Sequence, residues 1–294
     1  MDAVPPLAPT RRRRARLGAD FVRLVRNRIA LAGLLLVVLS LGGAALAPWL
    51  TPYAPETMDY TALLAEPSLA HPLGTDDLGR DILSRMLHGA RLSLAVSIGA
   101  VALAVGIGVP LGLLAGYVGG FIEEALMRVV DSVMALPSLV LALTITAVLG
   151  PGLVNAMLAI AIVSVPTFTR LTRGQVLSVK QNEYVLAARA VGVRPVLIVL
   201  RHVLPNAVNP VIVQASLGIG FAIITESSLS FIGLGAQPPT ATWGSMVQVG
   251  FQYLETAPWF ALAPAAAIFI AVLGFNMLGE GLREILDPTS RSRG

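Results

Sequence analysis

Few residues in this chain could do chemistry, and their spacing excludes more than it allows. The 294 residues include one lysine, Lys180, preceded by Val179. A phosphate-binding loop needs Gly-x-x-x-x-Gly-Lys-Ser/Thr, because glycine amides and the lysine together hold the phosphates. That pattern cannot be written on this sequence. Cysteine is absent, which removes disulfides, Cys-ligated zinc and a thiol nucleophile. His71, His88 and His202 stand far apart, and neither H-E-x-x-H nor G-x-S-x-G occurs. No catalytic residue and no metal site is therefore expected. Ion-coupled carriers place ionisable groups near the bilayer midplane. Only Asp131 and Glu226 approach such a position, both near the ends of apolar stretches. Arg128, three residues before Asp131, is its expected partner on a helix. An ion-coupled secondary transporter stays open as an alternative, without a visible coupling site.

One local pattern suits a mechanical role. Asn182 can cap a helix, Glu183 suits its first turn, and Gly192 suits its exit. The implied helix over 183–191 is about 13 Å long at 1.5 Å per residue. Ala187, Ala188 and Ala190 make it smooth. Such a helix could fill a partner's groove or merely connect two spans, and the residues alone leave both readings open.

The elements that carry these residues are membrane spans. Charged residues make up 13% of the chain, against about 25% in a soluble domain. A mean hydropathy of +0.76 agrees with a surface that faces lipid. A bilayer core takes roughly 20 apolar helical residues. Six stretches qualify: 29–47, 92–116, 129–149, 153–168, 207–225 and 259–278. Eighteen of the 21 basic residues then fall on one side, in the N-terminal tail, beside Arg128, between the fourth and fifth spans, and after the last. The other side receives Arg80, Arg85 and Arg91 among acidic residues. The positive-inside rule puts both termini in the cytoplasm. Basic residues beside apolar spans also argue against a nucleic-acid partner, despite a pI near 9.9. Ala45-Leu46-Ala47 has the form of a signal-peptidase site. The apolar run before it is longer than a signal core, so a retained span is the expectation.

The expected organisation is all-α and integral to the membrane. A basic cytoplasmic tail (1–28) precedes a first span (29–47) and an external loop (48–91). A five-span core (92–281) follows, with a cytoplasmic loop at 170–205 and an external loop at 226–258. A short cytoplasmic tail (282–294) ends the chain. Ala100, Ala104, Gly108, Gly112, Gly116 and Gly120 recur every fourth residue, a stripe where another helix backbone could approach closely.

Longer motifs narrow the family. Ala187, Ala188, Gly192, Leu204 and Pro205 match the E-A-A-x-x-x-G, nine residues, I-x-L-P loop of ABC importer permeases. Leu186 stands at the glutamate position and His202 at the isoleucine position. The His202-Val203-Leu204-Pro205-Asn206 ending resembles the peptide-importer branch. The run from His71 to Arg85, then Gly89-Ala90-Arg91-Leu92-Ser93-Leu94, resembles dipeptide and oligopeptide permeases of the DppC/OppC type. So does the run Ser227 to Gly235, Gln237-Pro238-Pro239 and Trp243-Gly244-Ser245-Met246. The matched regions begin at His71, and the N-terminal basic tail lies outside them.

The resemblance implies a type I ABC importer permease with six transmembrane helices in the bacterial plasma (inner) membrane. It implies a non-catalytic subunit forming half of a translocation pore for di- and oligopeptides. A second, homologous permease would complete the pore as a heterodimer. Two ABC ATPase subunits would bind ATP and magnesium, so no cofactor is expected in this chain. An extracytoplasmic binding protein would deliver the substrate. Glu183, Tyr184, Ala187, Ala188, Arg189 and Gly192 would couple to the ATPases. Ser230, Gly233, Gln237, Pro238 and Trp243 would lie in the loop that meets the binding protein, expected to be non-helical. No substrate ligand is assigned, and permeases of this pattern also serve nickel and glutathione.

Overall fold

The computed structural model describes residues 27–286. The basic tail before residue 27, and the end of the C-terminal tail with Arg291 and Arg293, lie outside the described residues. All regular elements among the described residues are helical: α1 (Arg28–Leu50), α2 (Ile82–Val118), α3 (Gly120–Met134), α4 (Ser138–Leu149), α5 (Leu153–Val179), α6 (Glu183–Ala190), α7 (Pro195–Ile198), α8 (Leu204–Phe231), α9 (Trp243–Phe251) and α10 (Pro258–Leu286). A π-helical turn, Val199–Val203, joins α7 to α8. Together they make one apolar run, Pro195–Phe231.

Among the described residues five helices are long and apolar enough to cross a membrane, and a sixth span requires counting α3 and α4 as one. This corrects the expected third span. The chain bends by 91° between α3 and α4. Pro137 is the cause, with no N–H to give and with steric pressure on Leu136 to leave the helical region. Its own backbone lies at φ −58° and ψ 121°. Only the 12 residues of α4 continue beyond the bend, about 18 Å of helix.

The second span also begins earlier than expected, at Ile82 and not at residue 92. Asp81 caps it by accepting from Ser84 N at 2.8 Å and Ser84 Oγ at 2.7 Å. The first turns of α2 are polar, which hid them from an apolar count.

The core lies where α2, α5 and α8 meet. Val96, Ala100, Val101 and Ala104 of α2 pack on Ala156, Ile160 and Phe168 of α5 and on Val211, Ala222 and Leu229 of α8. The four-residue stripe faces α5. A Cβ on Gly108 would stand 2.8 Å from Phe168 Cβ, and one on Gly112 would stand 2.6 Å from Thr172 Cβ. Gly116 is equally close to Val176. The stripe ends there, because Gly120 begins α3 and a Cβ on it would meet nothing. Such backbone contact supplies dispersion where lipid offers no hydrophobic gain between helices. α1 packs on α10 in the same way, through Gly33, Gly274 and Gly281. Asn27 caps α1 and its Nδ2 donates to Glu284 Oε2 of α10 at 2.6 Å.

The seam predicts a contrast within one helix. Gly112→Leu must collide with the α5 backbone, since a Cβ there already lies 2.5 Å from Thr169 O. It should cost about 3 kcal/mol or more and lower the melting temperature of the detergent-solubilised protein. Gly106→Leu, on open space in α2, should leave the melting temperature nearly unchanged.

Candidate functional site

Two regions could meet other proteins, one at each end of the spans. The first is α6. It begins where expected and ends one residue earlier than the sequence implied. Asn182 occupies the N-cap position, but its side chain caps no backbone N–H. Its carbonyl accepts from Val185 N at 2.9 Å and Leu186 N at 3.1 Å. Glu183 in the first turn and Arg189 in the last both oppose the helix dipole favourably. Gly192 sits at φ 77°. Val193 N donates to Ala188 O and Gly192 N donates to Arg189 O, both at 3.1 Å. This is a Schellman ending, which needs the left-handed conformation that glycine takes at little cost.

The six sequence-selected residues of this helix do not share one face. Val185 is fully buried, and Ala188 packs beside it on Val176, Val179, Ile198 and Val203. Ala188 therefore faces the protein's own interior, not outward as a smooth surface for a partner. Glu183, Leu186, Ala187 and Ala190 are exposed. Tyr184 lies near His202, with ring centroids 6.3 Å apart. The Arg189 guanidinium lies over the Tyr117 ring at 5.6 Å, a cation–π contact to the end of α2. The one lysine belongs to the base of this unit, where Lys180 Nζ donates to Gly116 O at 2.9 Å.

Charge pairs fasten α3 alongside. Arg173 Nε donates to Glu123 Oε1 at 2.6 Å, and Arg170 pairs with Asp131. The expected Arg128–Asp131 pair does not form, because Arg128 bonds Glu124 at 3.0 Å. Both are i-neighbours on one helix, and the cross-helix arginine takes Asp131.

The second region lies at the opposite end of the spans. α8 runs to Phe231, and 243–251 form α9, so the expected non-helical loop is in large part helical. Thr242 and Ser245 make a capping box at the start of α9. Trp243 N donates to Ser93 Oγ at 3.2 Å, and its Nε1 donates to Met86 O at 3.1 Å. Ser230 Oγ donates to the fully buried Glu226 Oε1 at 2.7 Å. Trp243 thus holds α9 against α2, while the Ser230–Glu226 bond lies within α8 and Ser230 meets α9 only by packing on Gly244. Gln237 Nε2 donates to Gly233 O at 3.0 Å and Gly235 O at 3.2 Å, closing a compact turn. Gln237, Pro238 and Pro239 are exposed on it, with a cis bond between the two prolines.

The Thr75–Arg85 segment makes a buried ion knot beside this region. Asp76 is fully buried, with Oδ2 accepting from Arg80 Nε at 2.6 Å and lying 3.3 Å from Arg85 Nε. Its Oδ1 accepts from Leu78 N and Arg80 N, both at 2.9 Å. Asp77 lies at the edge, 3.7 Å from Arg80. Burial, then the adjacent Asp76 carboxylate, raises the Asp77 pKa above the ordinary aspartate value. Sequence reasoning did not single out Tyr117, Lys180, Ser93 or Glu226 as parts of these junctions. Each contact spans distant sequence positions, and no local pattern announces it.

The comparisons with known proteins agree with this architecture. The family described as "Binding-protein-dependent transport system inner membrane component" matches residues 108–292. The chain belongs to that family. A second match, to the N-terminal TM domain of oligopeptide transport permease C, covers residues 17–67. The likeness therefore extends N-terminal to His71, into the tail that the motifs left outside. This inner membrane component is 45% identical to the dipeptide transport system permease protein DppC of Alkalihalophilus pseudofirmus, over 92% of this chain and 90% of that one. It is equally 45% identical to the glutathione transport system permease protein GsiD of Pectobacterium atrosepticum, with the same coverage. Its fold matches an inward-facing MetNI methionine ABC transporter structure at a TM-score of 0.55 and 20% identity, over 69% of this chain and 97% of that one. It is an ABC importer permease, which implies ATPase subunits and a binding protein as partners.

The ion knot yields a paired prediction. Asp76→Asn leaves two arginines underpaired in a buried site and should cost about 3–5 kcal/mol. Asp77→Asn should not lower stability at neutral pH, because the folded state already disfavours that ionised carboxylate. The sign follows from the raised pKa. Any gain over the parent should shrink as pH falls and the parent Asp77 takes up its proton. Thermal melts of both variants across pH read this directly.

Proposed function

We propose that this permease forms half of the pore of an ATP-driven importer of di- and oligopeptides in a bacterial inner membrane. Its 45% identity to a dipeptide permease, sustained over 92% of the chain, carries the reading. A second, non-identical permease completes the pore. Two ATPase subunits bind the ATP and magnesium, and this chain contributes no catalytic group. Both termini lie in the cytoplasm, in keeping with the basic asymmetry of the sequence. Glutathione is a second cargo reading, supported by the equal identity to a glutathione permease. It is itself a modified tripeptide, so the same pore chemistry serves both.

In this reading α6 is the coupling helix. Its exposed residues Glu183, Leu186, Ala187 and Ala190 enter a groove on an ATPase subunit. Val185 and Ala188 fasten the helix to its own permease, and Arg189 holds it to Tyr117. Gly192 fixes where the lever ends. Leu186 presents an apolar side chain, 49% exposed, where the family motif has a carboxylate. Nucleotide closure would displace α6, and the α7–α8 run would carry that displacement across the membrane, a two-state change biased by ATP. On the outer side Gln237, Pro238 and Gly233 meet the binding protein, and Ser230 and Trp243 hold that surface in place.

The test is the reconstituted complex, read by ATPase activity stimulated by peptide-loaded binding protein. The purified chain alone should show no ATPase activity. Ala187→Glu should reduce stimulated ATPase and peptide transport about tenfold while the permease still assembles in the membrane, since a carboxylate in a dry groove goes unpaired. Gly192→Val should act similarly through backbone strain, because a side chain there meets no neighbour. Full stimulation and transport in both variants would reduce α6 to a connector. Transport by the chain alone along a proton or sodium gradient would replace the ATP-driven reading.

A further inference from the structure

Three amide side chains stand unpaired at the cytoplasmic end of the bundle. Gln175 lies near the end of α5, and Asn209 and Gln214 lie in the first turns of α8. None of the three side chains bonds another described residue. Asn206 joins them and donates only to His202 O, at 2.6 Å, in the preceding π-helical turn. The four line one cavity of about 510 Å³ between α5, α8 and α10, with Leu171 and Val213 among its apolar walls. That volume falls in the range of small-ligand sites.

Asn206 and Asn209 are exposed and Gln175 and Gln214 half-buried, so the four amides face water and can exchange it for a ligand. Each offers two N–H donors and a carbonyl acceptor. A peptide group offers the complementary donor and acceptor, whatever its side chains. We propose that Gln175, Asn206, Asn209 and Gln214 form an exit site that binds the backbone of the departing peptide. The proposal rests on the peptide reading above. Among the described residues the lining carries one charge, Arg283, which lies 3.9 Å from Glu280. Backbone amides are thus matched without fixing either end of the peptide, and the hold is weak enough for release.

The position gives the site a second property. Gln175 is on the helix that leads into α6, and Asn206 is on the helix that leads out of the same loop. The separation of these amides is therefore set by the coupling helix. A shift of α6 opens or closes the exit site together with the pore.

The chain has no cysteine, so single-cysteine variants report cleanly on this chain. The complex is reconstituted with its partners, and a randomised tripeptide mixture is the probe. Gln214→Cys and Asn209→Cys should react with a water-soluble thiol reagent from the cytoplasmic side. Tripeptides delivered by the binding protein during ATP turnover should slow that reaction about threefold or more, as bound ligand covers the thiols. Ile212→Cys does not line the cavity and should show no such protection. The combined Gln175→Leu, Asn209→Leu and Gln214→Leu variant should lose about tenfold in tripeptide transport, with ATPase stimulation retained. Unreactive thiols would overturn the proposal, since the cavity would be filled by lipid or protein. Reactive thiols without protection, with normal transport in the triple leucine variant, would overturn it while leaving the peptide reading intact. Parallel loss of ATPase stimulation and transport would mark the amides as structural and also overturn it. If the parent complex transports neither dipeptides nor tripeptides, the peptide reading fails and the exit site with it.

Discussion

Close backbone contact between α2 and α5 governs the architecture. Lipid gives no hydrophobic reward for bringing helices together, so the gain must come from dispersion at short range. Gly108, Gly112 and Gly116 remove the side chains that would keep the axes apart. The seam then places the end of α5 against the end of α2. Lys180 can reach Gly116 O only because of that proximity, and Arg189 can reach Tyr117 for the same reason. α6 thus hangs from a rigid corner, built where two spans already touch.

From that corner the chain is mechanically continuous. Val185 and Ala188 seat α6 on the small cluster of Val176, Val179, Ile198 and Val203. The run from Pro195 to Phe231 then crosses the membrane as one apolar unit. Glu226 and Ser230, near its outer end, share a hydrogen bond, and Trp243 of α9 is tied to Ser93 of α2. Close packing of Gly244 on Ser227 completes the junction. Packed elements of this kind switch between discrete arrangements more readily than they deform. α6 and α9 therefore sit at opposite ends of one stiff element.

Polar groups are spent at junctions. Asp76, Arg80 and Arg85 knot the segment before α2, and Asp81 caps that helix while meeting His71 at 3.0 Å. Arg170 and Arg173 fasten α3 to α5. Each pair satisfies a charge near a membrane boundary, where an unpaired one would be costly. Gln175, Asn209 and Gln214 differ, having no such partner among the described residues and facing water.

Much of this was legible in the residues. Apolar length found the long spans, because a bilayer demands about 20 residues of helix. The glycine stripe, the α6 helix and the left-handed Gly192 were readable because each is set by local geometry. Motif spacing identified the importer family. Other features could not be read locally. The bend at Pro137 splits a span whose hydropathy looked continuous. Asp131 pairs with Arg170, 39 positions away, and not with Arg128, which the helical spacing puts within reach. Ala188 turns inward and Ala187 outward, although both belong to the same motif. Sequence determined which segments are helical, which are apolar and where they must end, since backbone chemistry and the bilayer act residue by residue. The tertiary structure alone decided which faces meet and which charges pair, because those choices depend on side chains tens to hundreds of positions apart arriving at one place.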